Sequence, residues 1–389
     1  MGFERLTAYL DALEERYGVP GADLKITVGY ETVYRHSVGW QNYEKTVPVS
    51  ADDMYNIYSG SKPITMAGIM QLIEQGKLSL DDRLDQYLPE FAHMRYAMDF
   101  HVGKFPFTWP DERSPLAEAK NPILIGDLMS MTAGLSYDLN AAPIRRVLER
   151  DPHAGTRELV AAMAEMPLLF EPGTRYSYAL GHDVLAAVAE VVTGQRFSDY
   201  MREHIFEPLG IERMYYHVPA QEKAHLAAQY AQDWNTQELT RDGSMAYRFT
   251  ENYDSGGAGL CTSVDEYSKF AAAMANGGVG ATGKRILTPQ SIDLMRRNRL
   301  NEQQLRDFRV SPSKNCYGYG LGVRTLVDES GAKSPLGEFG WDGAACCYVL
   351  MDPKNRIGIF YAQQVLGMLI AYEEIHPTIR DLTYEALQL

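Results

Sequence analysis

Ser59 and Lys62 stand three residues apart in Tyr58-Ser59-Gly60-Ser61-Lys62-Pro63. On a helix, that spacing puts a hydroxyl and an amine on one face. A serine hydroxyl is a weak nucleophile until a base takes its proton. A lysine is such a base only where burial lowers its pKa. Ile64, Ile69, Met70, Leu72 and Ile73 supply the apolar stripe of a helix, with Gly76 as its stop. Ser59 therefore falls near the start of a buried helix, where the dipole favours negative charge. The ordinary reading of the same residues is an N-capping serine followed by a solvated lysine.

Two further stretches carry groups that suit such a pair. In Glu171-Pro172-Gly173-Thr174-Arg175-Tyr176-Ser177-Tyr178-Ala179-Leu180, a Pro-Gly turn leads two tyrosines into a helix. A phenol relays a proton between a serine oxygen and a leaving group if a cation holds its pKa down; otherwise the two rings simply pack. Phe339-Gly340-Trp341-Asp342-Gly343 precedes an apolar run, Ala344–Met351. A strand edge there offers a backbone N–H as an oxyanion donor beside that of Ser59, and Trp341 reads equally as a core residue. Other machinery is missing. No serine stands in G-x-S-x-G. The nine histidines form no H-E-x-x-H, and His182-Asp183 reads as a pair at a helix start. The glycine-rich stretch Tyr253–Gly259 is no phosphate cradle, because G-x-x-x-x-G-K-[ST] is absent.

The elements around these groups follow from periodicity. Phe3, Leu6, Leu10, Leu13 and Tyr17 mark an amphipathic first helix closed by Gly18 and Pro20. Leu24–Val28 and Val33–Val38 read as strands with Gly29 in the turn between them. Residues 123–215 are mainly helical, with Thr156 able to cap one helix and Arg145 and Arg146 on a solvated face. Ser263 and Asp265 open a helix through Phe270. Ala344–Met351 and Ile357–Gln363 form a second hairpin, followed by a last helix. The two hairpins then build one antiparallel sheet with the terminal helices packed on it. The segment from His93 to Pro122, with Phe105, Phe107 and Trp109, is irregular and reads as a lid over the site or as a surface loop.

Composition narrows the classes. A chain of 389 residues, 45% hydrophobic and 23% charged, is an ordinary globular protein long enough for two lobes. The formal charge of −14 argues against nucleic acid or an acidic membrane surface as partner. No run approaches the ~20 apolar residues of a membrane span. Met1–Leu6 lacks a basic and apolar leader, and Leu6 stands where a myristoylation motif needs Ser or Thr. Four cysteines, two of them adjacent, form no disulfide framework. A reduced, cytoplasmic setting is expected.

Taken together, the motifs resemble the serine β-lactamase and penicillin-binding-protein superfamily, in its class C-like branch of family VIII carboxylesterases. Tyr58–Pro63 matches its S-x-x-K-P, the nucleophile motif of that superfamily. Val19–Ala22 looks like its opening. Leu128–Leu135 resembles L-L-x-H-T-S-G-L, with Met131 where histidine is usual. Pro172–Thr174 with Tyr178 matches P-G-T-x-x-x-Y, and Phe206–Gly210 matches F-x-P-L-G. Gly256–Leu260 with Asn276–Gly278 resembles its G-G stretch, and Gly340–Gly343 sits where lactamases keep K-T-G. Two departures matter. The asparagine of Y-x-N is Leu180, and the lysine of K-T-G is Trp341. The resemblance implies an α+β fold: an antiparallel sheet flanked by helices, plus a mainly helical lobe. One catalytic domain over 1–389 is expected, with a sheet lobe over about 1–80 and 250–389 and a helical lobe over about 81–249. It implies ester hydrolysis without metal or organic cofactor. Ser59 is the nucleophile, Lys62, or Tyr178 coupled to it, the base, and Tyr178 the proton donor to the leaving group. Trp341, Gly343 and Ala344 line the substrate and oxyanion side. A small-molecule ester or amide is the expected partner; a β-lactamase, a D-amino-acid peptidase or an acyltransferase are the alternatives in the same fold.

Overall fold

The computed structural model describes residues 2–101, 108–110 and 113–389. Its centre is a seven-stranded antiparallel sheet. In chain order the elements used below are α1 (Glu4–Asp11), β1 (Gly21–Val28), β2 (Glu31–Gly39), β3 (Met54–Asn56), α2 (Ser61–Glu74), α3 (Ile125–Ser130), α4 (Gly181–Thr193), β4 (Cys261–Ser263), α5 (Val264–Ala275), β5 (Tyr317–Tyr319), β6 (Arg324–Leu326), β7 (Phe339–Asp342), β8 (Tyr348–Asp352), β9 (Ile357–Gln363) and α6 (His376–Leu387). The spatial order is β5-β6-β7-β8-β9-β1-β2. β1 and β9 join the two expected hairpins, with Leu24 opposite Tyr361 and Ile26 opposite Ile359.

Alternation decides what each face buries. Ile357, Ile359 and Tyr361 of β9 pack with Leu24 and Ile26 against Leu6, Leu10, Ile379 and Tyr384 of α1 and α6. Phe360 and Ala362 point the other way, toward α5 and α2. Phe360 stacks on Tyr267 of α5 at 4.0 Å between ring centres. The sheet is thus covered on both faces, and α2 is buried over most of its length, with Ile64, Met66, Ile69, Met70 and Leu72 all at 0% exposure. Among the described residues, no helix is long and apolar enough to cross a membrane.

Several expectations change. The first helix is two, α1 and Leu13–Tyr17, because the chain turns at Ala12. Gly18 ends the second in the left-handed region at φ 73°, as its position suggested. Thr156 does not cap its helix; Gly155 does, and the Thr156 hydroxyl accepts instead from Asp254 N–H at 2.8 Å. The strand expected over Ala344–Met351 begins only at Tyr348, since residues 343–347 turn, with Cys346 at φ 69°. β5, β6 and β7 were not anticipated, and Trp341 lies inside β7 rather than ahead of a strand. In the His93–Pro122 segment, Arg95–Ala97 pairs with Leu116–Glu118. Trp109 is buried and its Nε1–H donates to Asp138 O at 3.0 Å. Phe105 and Phe107 lie outside the described residues.

Candidate active site

The turn Tyr58–Gly60 precedes α2, so Ser59 sits one step before the helix proper. Tyr58 adopts φ 46°, a left-handed conformation that costs a non-glycine residue free energy. The surroundings hold it there. Tyr58 Oη donates to Gln229 Oε1 at 2.8 Å, and Ile57 N–H to Leu260 O at 3.1 Å. Tyr267 Oη donates to Gly60 O at 2.7 Å. Ser59 is therefore presented on a braced turn, where backbone N–H groups at a helix start lack intrahelical acceptors.

Lys62 is wholly buried and Ser59 nearly so, at 0% and 9% exposure. The Lys62 amine makes three polar contacts: Ser59 Oγ at 3.2 Å, Tyr137 Oη at 3.1 Å and Gly257 O at 2.8 Å. Of these, only the Gly257 carbonyl is restricted to accepting. A neutral amine therefore keeps one N–H on Gly257 and can turn its lone pair toward the Ser59 hydroxyl. Burial lowers the Lys62 pKa to about 7, against the opposing pull of Asp183. Gly257 must lack a side chain for this: a Cβ there would lie 3.3 Å from Lys62 Nζ and 2.6 Å from Asp183 Oδ2.

Tyr178 is partly exposed and lies beneath the amine, 4.6 Å from Lys62 Nζ to the ring centre. Its hydroxyl accepts from Trp341 Nε1–H at 3.1 Å. Burial pushes its pKa up, with hydrogen bonding to Ser59 and Trp341 opposing. Tyr178 is accordingly a neutral phenol, which corrects the expectation that a cation would hold its pKa down and make it an alternative base. Tyr176, the other tyrosine of the pair, is buried and packs edge-on against Phe308 and Tyr319.

The turn after β7 closes the opposite side. Gly343 N–H donates to Cys347 O at 2.9 Å, so on this turn a free oxyanion donor has to come from the residue after Gly343. The role of Gly343 is steric: a Cβ would lie 2.2 Å from Ile57 O, so only glycine lets this turn meet the segment before Ser59. Tyr372 Oη donates to Gly343 O at 2.8 Å. In a trans peptide the N–H points opposite to the C=O, so the Ala344 N–H faces away from Tyr372. It meets no acceptor among the described residues.

Four residues at the site were not assigned to it from the sequence. Tyr137 stacks on Tyr178 at 5.2 Å with planes 9° apart. Tyr247 packs edge-on against both Tyr58 and Tyr137. Lys314 brings an amine to 5.4 Å from the Trp341 ring centre and 5.3 Å from that of Phe308. Asp183, read as one of a pair at a helix start, is fully buried and faces Lys62. None carries a local motif; Tyr137 is 75 residues from Lys62 in the chain.

The chain is similar to known proteins over most of its length. The family model described as Beta-lactamase matches residues 6–369. Protein Rv1367c of Mycobacterium tuberculosis is 29% identical over 339 residues, 85% of this chain and 82% of that one. The lovastatin esterase of Penicillium rubens is 30% identical over 346 residues, 82% of each chain. Among solved structures, EstCE1, described as a hydrolase with promiscuous acyltransferase activity, superposes with a TM-score of 0.76 at 25% identity, covering 98% of both chains.

Proposed function

Because the chain belongs to the Beta-lactamase family, we propose that it is a serine hydrolase of carboxylic esters, working through an acyl-enzyme on Ser59. The observation that carries this reading is the buried Lys62 amine, 3.2 Å from Ser59 Oγ, with its pKa lowered to about 7. Ser59 Oγ attacks the acyl carbon while its proton passes to Lys62 Nζ. The carbonyl oxygen becomes an oxyanion between the N–H groups of Ser59 and Ala344. Tyr178 gives its phenolic proton to the departing alkoxide and regains one from the Lys62 ammonium. Water then attacks the acyl-enzyme, and the same groups return the proton to Ser59. A second alcohol in place of water makes the step an acyl transfer, and the description of EstCE1 favours testing for it.

The base sets a pH dependence. Lys62 is active as the neutral amine and is lost as it gains a proton, so kcat/KM should fall on the acid side with a midpoint near 7. A pH–rate profile on one ester checks this; constant activity down to pH 5 would contradict Lys62 as base.

Trp341 decides the substrate class. A β-lactam carries a carboxylate beside its ring, which the K-T-G lysine meets in the lactamases that the motifs resemble. Trp341 offers an N–H, already donated to Tyr178, and no charge. The amine of Lys314 packs over the Trp341 and Phe308 rings. A charge-assisted hydrogen bond contributes ~1.5–3 kcal/mol, or about one to two decades at ~1.4 kcal/mol per tenfold. The amide contact of Y-x-N is also gone at Leu180. Short-chain p-nitrophenyl esters should therefore be turned over efficiently, and penicillins slowly or not at all. The test is kcat/KM for both on one preparation; a penicillin that equals or exceeds the ester replaces this reading with a β-lactamase.

A further inference from the structure

The proposed mechanism leaves Asp183, a buried ionisable group beside the site, unused. Asp183 stands in the first turn of α4, 1% exposed. Its Oδ1 accepts from Ser255 Oγ at 2.6 Å and from Tyr253 Oη at 2.9 Å. Its Oδ2 meets no hydrogen-bond donor among the described residues. That oxygen faces Gly257, the residue whose carbonyl receives the Lys62 N–H at 2.8 Å. One glycine thus separates the carboxylate from the amine, and a Cβ on it would touch both. The Gly257 N–H approaches the carboxylate without completing a hydrogen bond.

We infer that Asp183 is a positioning residue for Lys62: its carboxylate, held from behind by Ser255 and Tyr253, is the fixed counter-charge for the ammonium that forms when Lys62 takes the Ser59 proton. This inference rests on the ester-hydrolase reading above. In acylation the Oγ–carbon bond forms, the hydroxyl proton moves to Lys62 Nζ, and Asp183 keeps its charge without receiving a proton. A buried ammonium with no anion nearby is strongly disfavoured. The role parallels that of the aspartate in a Ser-His-Asp triad, which stabilises the cation and does not become protonated. The position at the start of α4 also suits an anion.

Other groups around the pair do not supply this charge. Ser59, Tyr137 and Tyr178 face the amine as neutral hydroxyls. His182 is buried, and both burial and Lys62 push its pKa far down, so it stays neutral. Tyr137, Tyr216, Tyr247 and Tyr253 around Asp183 are all shifted upward by burial. The Asp183 pKa is raised overall, burial outweighing the opposing pull of Ser255, Lys62 and Tyr253.

The test is the pH dependence of Ser59 labelling by an alkyl fluorophosphonate, followed by intact-protein mass. Labelling forms the Oγ–phosphorus bond, expels fluoride and sends the same proton to Lys62, whatever the natural ester is. Asp183→Asn retains an acceptor for Ser255 and Tyr253 and removes the charge. Its acid limb should move to lower pH by a unit or so, on the order of a tenfold change in the amine's proton affinity. Its plateau rate should fall at least about tenfold, because a weaker base drives the transfer less. A residue with a purely structural role would lower thermal stability and leave the midpoint where it is. If Asp183→Asn does not fold, Ser255→Ala weakens the hold on the carboxylate and should shift the limb the same way by less. An acid limb unmoved in the folded variant overturns the inference alone. A wild-type protein that takes no label overturns the hydrolase reading and this inference with it.

Discussion

Ser59→Ala and Lys62→Ala should each remove essentially all ester turnover, and the double variant should be no worse than either. The two groups act as one unit, the hydroxyl supplying the bond and the amine 3.2 Å away accepting the proton. Knockouts within such a unit are strongly non-additive, and losses of about 10⁴-fold or more in kcat are the precedent for serine hydrolases. Lys62→Ala also opens a cavity at a residue with 0% exposure, so its fold must be checked by circular dichroism and thermal melting. Lys62→Met fills the space without the amine and should be as inactive. A Lys62→Met protein with near-normal kcat would refute the base assignment, since Lys62 Nζ is the amine that meets Ser59 Oγ.

Tyr178→Phe should lower kcat by about 10²–10⁴-fold, the range for removing a positioned acid, with KM little changed. The ring continues to pack against Tyr137 and Trp341, so the variant should fold, with melting lowered only by the buried Trp341 Nε1–H left without its acceptor, about 1–3 kcal/mol. Tyr137→Phe is the control. Its hydroxyl touches the amine at 3.1 Å and helps to orient it, so a loss of roughly fivefold is expected, about the ~1 kcal/mol of one hydrogen bond. The leaving group separates the two. Esters of nitrophenol need no protonation on departure and should lose less activity in Tyr178→Phe than alkyl esters do. Equal losses for both esters would remove Tyr178 as the acid.

The parts of this site that can be read from the chain are the local ones. Ser59 and Lys62 are three residues apart and on one helical face, so spacing alone brings them together. Tyr178 follows a Pro-Gly turn, and the strands β1, β2 and β9 announce themselves by alternation of apolar residues. β5, β6 and β7 did not, because they run only three, three and four residues and include Gly318 and Gly340. At that length no period is established. Their omission explains why Trp341 was placed ahead of a strand. That Tyr137, Asp183 and Gly257 stand beside Lys62 is legible only in three dimensions. Each comes there through long-range packing, Gly257 across 195 residues of chain, and neither the G-G stretch nor the His182-Asp183 pair says which residue will face the amine. The turn after β7 is a smaller case: the expected donor follows Gly343, and the turn commits the Gly343 N–H to Cys347 while the Ala344 N–H meets no backbone acceptor among the described residues.

The covalent intermediate is the centre of this account, and it can be weighed directly. The protein is mixed with a p-nitrophenyl ester, quenched in acid during turnover and analysed by intact mass and peptide mapping. The account predicts an increment of one acyl group, mapped to the peptide containing Ser59 and absent from Ser59→Ala. A burst of nitrophenol stoichiometric with enzyme should accompany it wherever deacylation is the slower step. An acyl group found on another residue, or undiminished turnover by Ser59→Ala, would contradict it.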